Sequence, residues 1–193
     1  MENAPGPEDR HPLKLLLDRG VQEEVYTAAV ALVGLQGELR WEAAVGRVSR
    51  EPQAAAVTAE TVFDLASLTK PLATTLAVMH LVRRGRLALS TCLGEILAER
   101  WLPPDKRSLT LRSLLAHRAG LTAWLPLYEE VLAAPALERP GLLARLAAAP
   151  PLACPPGTET LYSDLGFMLL QAAVEKVSGQ GLDALCRREI YAP

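Results

Sequence analysis

Phe63-Asp64-Leu65-Ala66-Ser67-Leu68-Thr69-Lys70-Pro71-Leu72-Ala73-Thr74 decides how the rest of the chain is read. An extended apolar run, Phe63 to Ala66, leads into Ser67. From there to Arg84 Leu72, Leu76, Met79, His80 or Leu81, and Val82 recur at helical spacing, and Gly85 follows the basic Arg83 and Arg84 as a stop. Pro71 falls in the first turn, where a missing N–H costs least. The pattern predicts a long buried helix with Ser67 at its start. Positions i and i+3 share a helix face, so Ser67 and Lys70 lie within reach of each other. A serine hydroxyl is a weak nucleophile until a base takes its proton, and Lys70 is the candidate base. For that its pKa must fall below the ordinary value near ~10.4, through burial and the positive end of the helix dipole. The same helix end turns the Ser67 N–H toward an anionic intermediate, as half of an oxyanion hole. Taken alone, the spacing also fits a solvated lysine one turn after a serine.

Outward from this segment, Leu13, Leu16 and Leu17 mark one face of a short helix that Gly20 can end with a positive φ. Thr27 to Val33 is rich in β-branched and small apolar residues. After a turn at Gly34 to Gly37, Leu39, Trp41, Ala43 and Val45 alternate with Arg40, Glu42 and Ala44. That alternation predicts an antiparallel hairpin over about 27–46 with one face buried. Downstream, Thr110 can cap a helix through Leu111, Leu114 and Leu115 that ends near Gly120. Further helices fit Tyr128 to Ala134 and Gly141 to Ala149. Pro150, Pro151, Pro155 and Pro156 with Gly157 force a loop that delivers the chain into Tyr162-Ser163-Asp164. A helix then runs to Ser178-Gly179, and another from about Asp183 to Tyr191. The region 67–191 is mostly helical.

With 193 residues, 50% of them hydrophobic, the chain can bury a real core. A net charge of -2, from 20 basic and 22 acidic side chains, gives no footprint for nucleic acid or an anionic membrane. Cys92, Cys154 and Cys186 form neither a disulfide framework nor a Cys-x-x-Cys pair, and His11, His80 and His117 lie far apart, so no metal or other cofactor is expected. The first ten residues hold two prolines and three acids where an export signal needs an apolar core, and no apolar run reaches the ~20 residues of a membrane span. A cytoplasmic location is the expectation. Nothing fixes an oligomeric state.

Phe63 to Thr74 resembles the first motif of the serine β-lactamase, penicillin-binding protein and family VIII esterase superfamily, most of all its class C branch. Leu114-Leu115-Ala116-His117-Arg118-Ala119-Gly120-Leu121 resembles that branch's Leu-Leu-x-His-x-x-Gly-Leu segment. Pro155-Pro156-Gly157 followed by Tyr162-Ser163-Asp164-Leu165-Gly166-Phe167 resembles its second motif. The resemblance implies an α+β fold of β-lactamase/transpeptidase type, a hairpin beside a mostly helical part, with 1–193 as the N-terminal portion of a single catalytic domain. It implies acylation of Ser67, deprotonation helped by Lys70, and a proton shuttled by Tyr162 to or from the leaving group. Asp164 stands where the lactamases often have an asparagine that holds the substrate. An anion there offers acceptors only, which favours ester or peptide substrates over lactams, and Asp164 serves equally well as a cap for the next helix. His117, in a Leu-rich helix end, suits a structural histidine, and no Gly-x-Ser-x-Gly elbow supports a Ser-His-Asp alternative.

The third motif of the superfamily, a Lys or His followed by Thr or Ser and Gly, is not found in the sequence. The expectation is therefore a fragment or truncated form, weakly active alone, whose substrate is a small-molecule ester, amide or lactam. The alternative is a relative that keeps the fold as a non-catalytic binding or assembly module.

Overall fold

The computed structural model describes residues 11–98, 100–136 and 141–192; the ten residues on which the reading of a leaderless start rests lie outside them. The chain divides into two compact units, Met1–Asp64 and Leu65–Pro193.

In the first unit, α1 (Pro12–Gln22) starts on His11, whose Nδ1 accepts the Leu13 N–H at 3.3 Å, with Pro12 at the position where no N–H is needed. The helix runs through Gly20, so that glycine is not its stop; Glu24 carries the positive φ, 57°. Gly20 has a different duty, because a Cβ there would strike the Tyr26 ring, whose hydroxyl donates to the Leu17 carbonyl at 3.1 Å. β1 (Ala28–Leu35) and β2 (Glu38–Gly46) pair antiparallel, with Ala29 opposite Val45, Ala31 opposite Ala43 and Val33 opposite Trp41. The connection is Gln36-Gly37, both at positive φ, the geometry that matches the twist of a two-residue hairpin. The expected buried face is only partly formed. Val45 is buried and Trp41 and Ala43 are half-buried, but Leu39 is 58% exposed. Coverage comes from α1 lying on β2, where the His11 ring stacks on Trp41 at 4.7 Å, and it stops short of Leu39.

The second unit is helical. A 3-10 turn, Ala66–Leu68, passes into a π-helical segment, Lys70–Thr75, and then α2 (Leu76–Arg83), which ends before Gly85 at φ 68° as the sequence indicates. α3 (Leu93–Ile96), α4 (Leu111–Leu115), α5 (Leu127–Ala133), α6 (Leu142–Ala148), α7 (Asp164–Ser178) and α8 (Leu182–Cys186) follow, the last continuing as a π-helical turn, Arg187–Tyr191. Thr110 caps α4 by accepting the Ser113 N–H at 3.1 Å. α7 lies at the centre: Leu165, Leu169, Leu170 and Val174 are fully buried, and it packs on α2, α3, α4, α6 and α8. The face that α2 and its lead-in bury matches the marked apolar residues only in part: Leu81 is buried and Val82 packs against the core. Leu72 and Met79 are exposed, and Thr74, Ala77, Val78 and Leu81 face the core. Small residues there let α7 approach closely. Among the described residues no helix is long and apolar enough to cross a membrane.

Candidate active site

Ala66, immediately before the candidate nucleophile, sits at φ 44°, a conformation that costs a non-glycine residue free energy and that clusters at functional positions. It ends the extended approach and starts the helical turn at Ser67, whose side of the turn is open to solvent. Lys70, one turn on, is tucked in, its side chain 12% exposed. Its ammonium donates to Ser67 Oγ at 3.1 Å and lies 2.5 Å from Asp164 Oδ1 and 4.8 Å from the centre of the Tyr162 ring. The hydrogen bond is the one to Ser67 Oγ; Asp164 acts on the ammonium as an ion pair, and the Tyr162 oxygen is a further neighbour that favours the charge.

Tyr162 and Asp164 reach this point because the loop before α7 is splinted along 117–123. The Leu161 N–H donates to the His117 carbonyl at 2.9 Å, the Ser163 N–H to His117 Nδ1 at 3.0 Å, and the Asp164 N–H to the Ala123 carbonyl at 2.8 Å. Ser163 Oγ donates to the Thr122 carbonyl at 2.7 Å and accepts the Gly166 N–H at 3.2 Å, which makes Ser163 the cap of α7. Asp164 is thereby the first helical residue and does not cap. Its carboxylate turns to Lys70 instead. Earlier in the splint, the Ala153 N–H meets the Gly120 carbonyl at 2.8 Å, and Gly120, at φ 74°, has the Cys154 carbonyl against the place a Cβ would occupy.

The electrostatics differ from the sequence reading at Lys70. Burial pulls its pKa down as expected, but the Asp164 carboxylate and the Tyr162 oxygen reverse this, and the ammonium stands above the ordinary lysine range. A lysine paired this closely is held as the cation. Tyr162 moves the other way: hydrogen bonds from Lys70 and then Ser67 favour its phenolate and bring its pKa below the ordinary tyrosine value, against burial and the Asp164 charge. His117 is also lowered, by burial first and the Lys70 charge second, with Asp164 opposing. Its ring lies 4.4 Å from that of Tyr162 and 5.1 Å from that of Phe167.

Ser67, Lys70, Tyr162 and Asp164 are thus brought to one place, with His117 behind them. Phe167, which the sequence reading gave no role, stands 5.7 Å from the Lys70 nitrogen; its place one turn after Ser163 on α7 was the available signal. Leu65, Leu68, Leu115 and Phe167 give the open pocket over Ser67 and Tyr162, about 510 Å³, apolar walls. A slightly larger cavity, about 580 Å³, lies in the first unit between Tyr26, Arg47 and Arg50 and holds none of these groups.

The chain belongs to the beta-lactamase family, whose model matches residues 13–193. It is 34% identical over 190 residues to the esterase EstB of Burkholderia gladioli, covering 89% of this chain and 46% of that protein. It is 30% identical over 195 residues to an N-acetylmuramyl-L-alanine amidase of Bacillus subtilis, covering 92% of this chain and 44% of the amidase. The structure of EstCE1, a hydrolase with promiscuous acyltransferase activity, superposes with a TM-score of 0.75 at 27% identity, over 94% of this chain and 50% of that one. The chain therefore spans about half the length of these relatives. Its α+β architecture, a hairpin and a mostly helical unit, matches about half of the EstCE1 chain.

Proposed function

We propose that this chain carries the acylation machinery of a serine hydrolase, as part of one catalytic domain, with esters favoured over lactams. One observation carries the reading: a single ammonium, Lys70, joins Ser67 Oγ at 3.1 Å to Asp164 at 2.5 Å and lowers the pKa of Tyr162. Lys70 acts as a fixed cation, and the Tyr162 phenolate is the base. Tyr162 takes the Ser67 Oγ proton as Oγ bonds to the substrate carbonyl carbon and the carbonyl oxygen becomes an oxyanion facing the Ser67 N–H. When the carbon–leaving-group bond breaks, Tyr162 returns that proton to the departing alkoxide or amine, leaving an acyl ester on Ser67. Water then gives a proton to the same phenolate and its oxygen bonds to the acyl carbon; the bond to Ser67 Oγ breaks, Tyr162 returns the proton to Oγ, and the acid leaves. The preference for esters rests on the acceptor-only Asp164, engaged with Lys70 rather than offering an amide to substrate, and on the likeness to an esterase.

The test is to incubate the chain and a Ser67→Ala control with a fluorophosphonate and with a fluorescent penicillin and to read adduct mass on the intact protein. Stoichiometric labelling lost in the control supports the reading. A folded chain that neither probe labels is either a part that needs the rest of the domain or the non-catalytic module, and the same test on a chain of the relatives' full length decides between them.

A further inference from the structure

Both peptide neighbours of Tyr162 are tied to one residue. The His117 carbonyl accepts the Leu161 N–H at 2.9 Å and its Nδ1 accepts the Ser163 N–H at 3.0 Å, while the imidazole packs against the phenol at 4.4 Å between ring centres. His117 manages this at φ 55°, an unusual state for a residue with a Cβ, which the surrounding bonds must hold in place. Such strain, together with a side chain used as a backbone acceptor across 46 residues of sequence, exceeds what filling a core requires.

We propose that His117 is the positioning residue for Tyr162 and that it works only as the neutral ring, so that protonation of His117 unfastens the base and switches the site off in acid. The inference rests on the reading of Tyr162 as the base. An N–H donor needs a lone pair, so Nδ1 carries no proton while the Ser163 tie exists, and the neutral ring keeps its proton on Nε2. The imidazolium would present an N–H to an N–H, breaking the tie. The titratable and charged groups that face the ring are Tyr162, packed against it, Lys70, from the π-helical segment, and Asp164, from the start of α7; the neighbouring Arg118 guanidinium is directed to the Gly157 carbonyl. Burial and Lys70 disfavour the imidazolium and Asp164 favours it, with a net lowering. The site is therefore held on at neutral pH, and the switch lies on the acid side of an ordinary histidine.

The experiment measures fluorophosphonate labelling of the wild-type chain, His117→Leu and His117→Asn across about pH 5 to pH 9, separating the maximal rate from the reagent's binding constant. The Asn amide oxygen takes the place of Nδ1 as an acceptor but does not titrate. His117→Leu is expected to lose about 10- to 100-fold in maximal rate with reagent binding unchanged within about twofold. His117→Asn is expected to stay within about fivefold of wild type and to depend on one proton fewer at the acid end. Wild-type rates in the Leu variant, or identical acid dependence in wild type and the Asn variant, overturn the proposal. Should wild type fail to label at all, the comparison moves to a chain of the relatives' full length, and failure there removes the phenolate-base reading by itself. In that case, or should the Leu variant not fold, ¹⁵N NMR of the wild-type imidazole still decides: a bare, hydrogen-bonded Nδ1 at neutral pH supports the tie, and a protonated Nδ1 refutes it.

Discussion

Asp164→Asn removes one charge from the site and almost no volume. The carboxylate lies 2.5 Å from the Lys70 ammonium, with the two side chains 30% and 12% exposed. Exposed pairs contribute about 0–1 kcal/mol, and breaking a fully buried pair costs about 3–5 kcal/mol. This pair falls between, and the asparagine oxygen keeps one hydrogen bond to the ammonium, so a loss of about 1–2 kcal/mol is expected. At about 2–4 °C per kcal/mol for a chain of this size, the melting temperature falls by about 2–8 °C. The pH dependence has a defined sign. Lys70 is raised in the folded chain, so the pair's contribution is complete below the unfolded lysine value, about 10.4, and is lost only as pH rises through the folded one. The gap between wild type and variant should stay constant from about pH 6 to pH 9 and close only in stronger alkali. Labelling of Ser67 reports the other consequence. Asp164 raises Tyr162 and helps hold Lys70 charged, so without it both limbs of the pH–rate profile move to lower pH. Equal melting temperatures near neutrality, with an unmoved profile, would refute this account of the site.

Tyr162→Phe should cut Ser67 labelling by about 10²- to 10³-fold, measured by intact mass, and leave the melting temperature nearly unchanged, because the Tyr162 side chain is half exposed. Gly120→Ala should destabilise the chain by about 2–3 kcal/mol in thermal melts, through its positive φ and the collision with the Cys154 carbonyl, and should slow labelling as the loop carrying Tyr162 shifts.

The one-turn pairing of Ser67 with Lys70 was legible because spacing on a helix is a local property, and so were the hairpin and the caps at Thr110 and Gly85, though the hairpin's turn is Gln36-Gly37 rather than the wider Gly34 to Gly37. The 3-10 and π-helical turns that replace a regular helix over 66–75 were not, since no residue there signals them more than it signals an α-helix. Large apolar side chains misdirected the reading of the buried face: Leu72 and Met79 stand out in sequence, yet packing against α7 selects the smaller Thr74, Ala77 and Val78. Gly20 looked like a helix stop and is instead a contact point for Tyr26. The direction of the Lys70 shift depends on a carboxylate 94 positions away, and helix position alone speaks only for the dipole and burial.

On the proposed mechanism that distant carboxylate changes which group takes the proton. A lysine poised to accept a proton needs a free lone pair, and here the ammonium donates to Ser67 Oγ while Asp164 and the Tyr162 oxygen favour its charged form. On the proposed mechanism the ammonium instead favours negative charge on the Tyr162 oxygen, the service a fixed cation gives a phenol. The arrangement requires that the phenol stay in place while its proton comes and goes. The ring's own hydroxyl cannot both anchor and react, so the anchoring falls to the backbone on either side of Tyr162, and both of those bonds lead to His117.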